Sequence, residues 1–336
     1  MRNPHNTGRL TTTYSRSKQR SPPWNAATAS YSGNYPFPVK LRDVADLILL
    51  AALWGASFLF MRIATPEFGT VALIELRVAI AALFLTPLLL THGAMAELRS
   101  NWRPICAVGV LNSAIPFCLL AYSTLYLSAG FAAIVNASSP LFGGLIAWLW
   151  LRERLNHSRT AGLLIGFAGV AVLVWDKVSL QFDHAGVAIG AAILGSAFYG
   201  LAANYARKYL PRTSPRVVAA GSQIGAALLL LPPALWLWPD NPISMRAWVS
   251  VILMGTLSTG IAYILYFRLI VSVGPVRAIT VTFLVPVFAV IWGVLLIDES
   301  LTRDMLIGSA VILTGTALAT GLIGDGGRTQ KQNGAP

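Results

Sequence analysis

The chain has 336 residues, of which 55% are hydrophobic and 11% charged, and a mean hydropathy of +0.64, which excludes a soluble domain with a solvated surface and makes lipid the expected solvent. The formal charge of +12 does not imply a nucleic-acid partner, because the basic residues fall in short clusters between apolar runs and form no stripe or aromatic-interleaved patch. Cys106 and Cys118 lie twelve positions apart on one expected helix, about 18 Å along its axis and too far to join, and His5, His92, His157 and His184 all lie in tails or loops, so no metal centre or cofactor is expected.

Residues 1–43 are rich in Ser, Thr, Asn and Pro, with seven Lys or Arg and a single acid, Asp43. This predicts a disordered basic tail. The segment has no apolar signal core, although an Arg- and Ser-rich, acid-poor start is shared with organelle transit peptides. From Val44 onward, apolar runs of bilayer-crossing length recur. Ten spans are expected, over 44–64, 69–90, 105–126, 130–151, 160–175, 185–206, 215–238, 247–271, 275–297 and 305–323, so the fold class is all-α integral membrane. Trp102, Trp150, Trp175, Trp238 and Trp248 sit near span ends, where an amphipathic ring prefers the headgroup layer. Residues 324–336 form a second tail.

The basic residues then divide by side. Twenty Lys or Arg fall in the two tails and the even-numbered loops, and four, Arg62, Lys177, Arg246 and Arg303, fall on the other face. The positive-inside rule places both termini in the cytoplasm.

Sliding the chain along itself reveals an internal repeat at an offset of 146 residues without a gap. Pro140 matches Pro286, Glu153 matches Glu299, Leu155 matches Leu301, Gly162 matches Gly308 and Gly169 matches Gly315. Upstream, Gly109 pairs with Gly255, Ile115 with Ile261, Arg77 with Gln223 and Pro87 with Pro233. Residues 44–175 and 176–323 thus read as two five-helix repeats. An odd number of spans per repeat starts the second copy from the opposite side of the membrane, and such inversion marks alternating-access transporters, whose site lies near the midplane.

The first span carries LWGASF at 53–58, and the second carries LIELRVAIAALFL with Arg77. The paired repeat ends read SSPLFGGLIAWLWLRERL at 138–155 and LVPVFAVIWGVLLIDESL at 284–301. In their order, spacing and repetition these segments resemble the drug/metabolite transporter superfamily, and within it the EamA-type ten-helix transporters, over residues 44–323. The resemblance implies export of small metabolites, often amino acids or related compounds, across a bacterial inner membrane. It does not identify the compound.

Several residues are candidates for the path of a small-molecule substrate. A proline inside a helix removes the hydrogen bond to the carbonyl four residues earlier, so Pro140 and Pro286 free the carbonyls of Asn136 and Thr282, and Pro116 frees that of Asn112. Freed backbone at this depth lines a cavity or is satisfied by a neighbouring Ser or Thr as a packing kink. Trp54, Ser57, Ser196, Tyr199, Ser258, Thr259, Tyr263 and Tyr266 lie near span centres, where an aromatic ring can stack on a solute while its polar tip orients it. The serines also suit plain interhelical hydrogen bonding. Of the intramembrane charges, Glu75 is expected to snorkel toward the outer headgroups, whereas Arg77 has a structural pairing role or meets a substrate carboxylate. Glu153 and Glu299, at span ends, suit capping or interfacial ion pairs. Glycines 162, 166, 169, 308 and 315 form small faces for packing between the repeats or at a homodimer seam.

Two other readings compete. An antiporter of sugars or nucleotide derivatives in an organelle would suit the N-terminal tail. A membrane-embedded enzyme needs a nucleophile, an acid/base pair or a metal, and the spans hold no His or Cys cluster and no paired acids.

Overall fold

The computed structural model describes residues 40–91, 93–175 and 184–322. The expectations for the tail up to residue 39, including the transit-peptide reading, and for the tail 324–336 lie outside the described residues. Among those described there is no strand, and eight helical stretches are long and apolar enough to cross a membrane, from Leu41–Phe68 to Met245–Val273. Val281–Ile297 is a shorter apolar helix.

In chain order the helices are α1 (Leu41–Phe68), α2 (Thr70–Leu85, continued by a 3-10 turn over Thr86–Leu90), α3 (Ala94–Ser100), α4 (Trp102–Gly109), α5 (Ile115–Tyr126), α6 (Ala129–Asn136), α7 (Ser139–Leu151) and α8 (His157–Val174). They are followed by α9 (His184–Tyr209), α10 (Pro215–Trp236), α11 (Met245–Gly255), α12 (Ala262–Val273), α13 (Pro275–Ala278), α14 (Val281–Ile297) and α15 (Arg303–Ala319). The first helix begins at Leu41 rather than Val44. Asp43 accepts from the Lys40 backbone N–H at 3.0 Å and from the Ser272 hydroxyl at 2.6 Å, and Asp46 pairs with Arg268, which ties the start of α1 to α12.

Four of the expected continuous spans are broken. α4 passes into α5 through a π-helical turn, Val110–Ala114, and α11 passes into α12 through another, Thr256–Ile261. Pro116 begins α5 just after the first turn, where a missing N–H is tolerated. Its counterpart in the second half is Ala262, yet the π turn recurs, so proline is not its cause there. Instead the Thr259 hydroxyl donates to the carbonyl of Met254, five residues back, at 3.0 Å. The remaining breaks separate α6 from α7 and α13 from α14. Pro140 therefore lies in the first turn of a new helix instead of kinking a continuous one.

Local geometry repeats at the 146-residue offset. α7 ends on Arg152 at φ 54° and α14 on Asp298 at φ 53°. Each is followed by the same capping bond, from Glu153 N–H to the Ala147 carbonyl at 3.2 Å and from Glu299 N–H to the Gly293 carbonyl at 3.1 Å. α8 and α15 begin on equivalent caps, Asn156 accepting from Arg159 N–H and Thr302 from Met305 N–H.

Packing repeats as well, with the halves exchanged. α1 packs on α14 and α9 on α7; α4 packs on α10 and α11 on α2; α5 packs on α9 and α12 on α1. α2 packs on its own counterpart α10, and α8 on α15. Small residues make these approaches possible. A Cβ at Gly162 would strike the backbone of Ala319, and one at Gly315 the backbone of Gly166. The glycine faces thus meet each other within the chain, and a homodimer would have to use another surface. Gly200 seats against Gly143, where Asn204 donates to the Gly143 carbonyl at 2.8 Å. Gly55 seats against Phe288 and Ala289, and the Trp292 indole donates to the Ala52 carbonyl at 3.0 Å.

Candidate functional site

The two π turns face the helix that begins the other half's packing pair. Arg77 on α2 donates through Nε to Thr259 Oγ1 at 3.1 Å, and Gln223 on α10 donates through Nε2 to Ser113 Oγ at 2.9 Å. Both pairs are repeat-equivalent: Gln223 lies 146 positions after Arg77, and Thr259 lies 146 after Ser113. A π turn adds a residue to one turn of helix and re-aims the side chains on it, a geometry often found at functional sites. Here it turns Asn112 and Ser113, and Ser258 and Thr259, toward the interior.

Around these pairs lies an aromatic layer. The Arg77 guanidinium stacks on the Phe117 ring at 3.6 Å, and Phe117 neighbours Tyr199 with ring centres 6.2 Å apart. Asn112 donates to the Tyr263 hydroxyl at 3.1 Å. Tyr263 stacks on Phe267, Phe267 neighbours Tyr266, and Tyr266 lies 5.4 Å from Trp54. Tyr199 and Tyr263 are the electrostatic neighbours of Arg77. The layer breaks the repeat at one point. The counterpart of Asn112 is Ser258 and that of Tyr263 is Phe117, which has no hydroxyl. Asn112 has its partner, whereas Ser258 Oγ is buried without one.

The structure thus brings together Trp54, Arg77, Asn112, Tyr199, Tyr263 and Tyr266 among the residues expected from sequence. Ser57 is buried on α1 one turn beyond Trp54. Asn136 ends α6, Pro140 lies in the first turn of α7, Thr282 in the first turn of α14 and Pro286 inside α14. The Asn136 carbonyl, expected to be freed by Pro140, accepts the Ser139 hydroxyl at 2.6 Å, and the Thr282 hydroxyl donates to the Ile279 carbonyl at 2.8 Å. Ser139 thus gives the Asn136 carbonyl a partner within the same turn. Ser196 bridges helices, donating to Ala192 and to the Val135 carbonyl. Glu75 is 7% exposed, and its Oε2 is buried without a partner.

Sequence reasoning missed Ser113, Phe117 and Phe267, and it noted Gln223 only as the counterpart of Arg77. The 146-residue offset held the signal, since it carries Thr259 onto Ser113 and Tyr263 onto Phe117. At the rim, Glu299 caps α6 by accepting from the Ala129 N–H at 2.8 Å and lies 3.8 Å from Arg62, which donates to the carbonyls of Thr124 and Leu125. Glu153 pairs with Arg207 at 2.7 Å. Both acids act at span ends in the capping and ion-pairing manner expected.

Comparison with known proteins matches residues 45–175 and 186–321 to the EamA-like transporter family. Among similar proteins is the uncharacterized transporter YvbV of Bacillus subtilis, 26% identical over 83% of this chain and 92% of its own length. A probable amino-acid metabolite efflux pump of Escherichia coli is 24% identical over 82% of this chain and 93% of its own. A probable terminal-alkyne amino-acid exporter of Streptantibioticus cattleyicolor is 22% identical over 82% and 93%. One crystal structure superposes with a TM-score of 0.59 at 23% identity, covering 84% of this chain and 98% of that one, and so shares the fold.

Proposed function

Because the chain belongs to the EamA-like transporter family, and is accordingly a multi-pass membrane transporter and not an enzyme, we propose that it exports a small metabolite of the amino-acid class by alternating access. Ten spans in two inverted five-helix repeats carry this out, in a bacterial inner membrane with both termini cytoplasmic. The observation that carries the reading is the exchanged pairing of Arg77 with Thr259 and of Gln223 with Ser113. Contacts that recur with the halves swapped are what a twofold relation between repeats produces, and a twofold in the membrane plane lets one arrangement open to either side in turn.

The two relatives named for amino-acid compounds support the substrate class. The aromatic and polar layer between α1, α2, α5, α9 and α12 supplies the mixed lining that a small-solute site requires. The test is counterflow in proteoliposomes holding the purified chain, with a panel of amino acids, sugars and nucleotide derivatives. Saturable amino-acid exchange above protein-free vesicles is expected. Exchange confined to sugars or nucleotides would replace this reading with an antiporter of those solutes.

A further inference from the structure

We propose that the buried layer recognises its solute by a carboxylate, which Arg77 binds, with the free end of the Gln223 amide holding a second polar group of the same molecule. This rests on the transporter reading above and names its substrate class.

Arg77 is only 4% exposed. A buried guanidinium is strongly disfavoured without a counter-charge and acceptors for its five donors. Its partners in this chain are one hydroxyl, Thr259, the weakly accepting sulfur of Met61 at 3.9 Å, and the face of Phe117. None carries a negative charge. The ion pairs of the described carboxylates lie elsewhere, in Arg62–Glu299, Arg207–Glu153 and Arg268–Asp46. Glu75, two positions away on the same helix, points to a different side. Arg62, at the rim, shows the contrast: it has two carbonyls and a carboxylate. Arg77 is a buried cation with no anionic partner among the described residues.

Two more buried side chains on the same helices and π turns are incompletely paired. Gln223 is fully buried, and its amide bonds Ser113 through one end while Oε1 has no partner; Ser258 Oγ, beside Thr259, has none either. Because a hydroxyl both donates and accepts, turning the Gln223 amide over would still leave one end unpaired. Tyr263 links the two sides, lying near both Arg77 and Ser113. A planar carboxylate suits this place. It meets a guanidinium through two parallel hydrogen bonds, and Tyr199 and Tyr263 lie beside Arg77. Gln223 Oε1 then accepts from an ammonium or amide N–H on the same solute, as the head group of an α-amino acid provides.

The experiment measures uptake into proteoliposomes of the full chain with three matched sets: L-leucine, L-phenylalanine and L-glutamine, each beside its α-carboxamide and its decarboxylated amine. The acids are expected to move at least about ten-fold faster than their amides and amines, the factor that a charge-assisted hydrogen bond supplies. Arg77→Gln is expected to bring the acids down to the amide rate, and Arg77→Lys to keep an intermediate preference. Amides or amines moving as fast as the acids would overturn the carboxylate inference and leave the transporter reading standing. So would an Arg77→Gln protein that keeps the acid preference. Should Arg77→Gln fail to fold, the acid-to-amide ratio of the unaltered chain and of Arg77→Lys decides alone. No movement of any compound would reject the amino-acid reading and this inference together.

Discussion

Arg77 and Gln223 stand 146 positions apart, and each donates to the hydroxyl on the other half's π turn, Arg77 to Thr259 at 3.1 Å and Gln223 to Ser113 at 2.9 Å. The two bonds are alike in geometry and unlike in charge. Removing a hydrogen bond to a buried charged group costs about 1.5–3 kcal/mol, and removing one between neutral groups about 1 kcal/mol. Thr259→Val, which keeps the shape and deletes the acceptor, is therefore expected to lower the melting temperature in detergent more than Ser113→Ala. Equal shifts would mean that Arg77 finds another acceptor when Thr259 is gone.

Close packing between α8 and α15 leaves no room for a side chain. At Gly162 and at Gly315 an added Cβ meets backbone, which cannot rotate away, whereas around Gly190 on α9 no atom lies within 4 Å. Gly162→Leu and Gly315→Leu are expected to cost more than about 3 kcal/mol and to remove most of the folded protein. Gly190→Ala should leave the yield unchanged. Size-exclusion profiles of the three variants in detergent provide the check.

The apolar runs, their order and the repeat were legible in the sequence because hydropathy and a fixed offset are properties of the chain itself. The spans found by apolarity alone match helix ends to within a few residues, as in α9, expected over 185–206 and found over His184–Tyr209. The interior breaks were read less well. Proline predicts a break by its own chemistry, so Pro140 drew attention to Asn136, but the hydroxyl of Ser139 closes that carbonyl within the same turn. The π turns carry no such mark: the second has alanine where the first half has Pro116. What positions Arg77 is a tertiary pairing between residues 182 apart in sequence, and no local pattern encodes it. Glu75, read as exposed from its nearness to a helix end, is 7% exposed, which burial by residues distant in sequence decides.

The strongest bond by which Glu299 caps α6, from the Ala129 N–H, has no counterpart donor for Glu153. The residue corresponding to Ala129 is Pro275, which has no N–H to donate. Glu299→Ala would leave the Ala129 N–H and Arg62 without their shared carboxylate at a site only 13% exposed, and is expected to cost about 1–3 kcal/mol. Glu153 is 42% exposed and its partner Arg207 51%, so Glu153→Ala is expected to stay within about 0.5 kcal/mol. Detergent melting curves of the two variants, recorded side by side, distinguish a capping role from a surface ion pair.

The distribution of twenty basic residues against four predicts that a reporter fused after Pro336 reads as cytoplasmic. A fusion after Pro242, in the loop before α11, should read as exterior. Matching signals from both sites would reject the inverted relation between the halves.

The last prediction separates the aromatic layer from the broken helices as the path of the solute. Tyr263 belongs to the layer through its hydroxyl, which accepts from Asn112, and Tyr263→Phe removes that atom alone. It makes the second half resemble the first, where Phe117 occupies the equivalent position and leaves Ser258 unpaired. The ring stays to stack on Phe267, so packing is kept and folded yield should hold. If the solute passes this layer, losing a hydrogen bond worth about 1 kcal/mol lowers flux about five-fold per folded molecule. Asn136 ends α6, its carbonyl held by Ser139 at 2.6 Å and its side-chain oxygen approached by the same hydroxyl at 3.3 Å. Asn136→Ala therefore removes only a local contact, and normalised flux should stay within about two-fold, the scale of a minor surface change. Flux in proteoliposomes divided by folded protein, measured for both variants in parallel, decides between them. A fall confined to Asn136→Ala would move the path to the α6–α7 and α13–α14 breaks, where repeat-matched backbone would then do the binding proposed for the rings and Arg77.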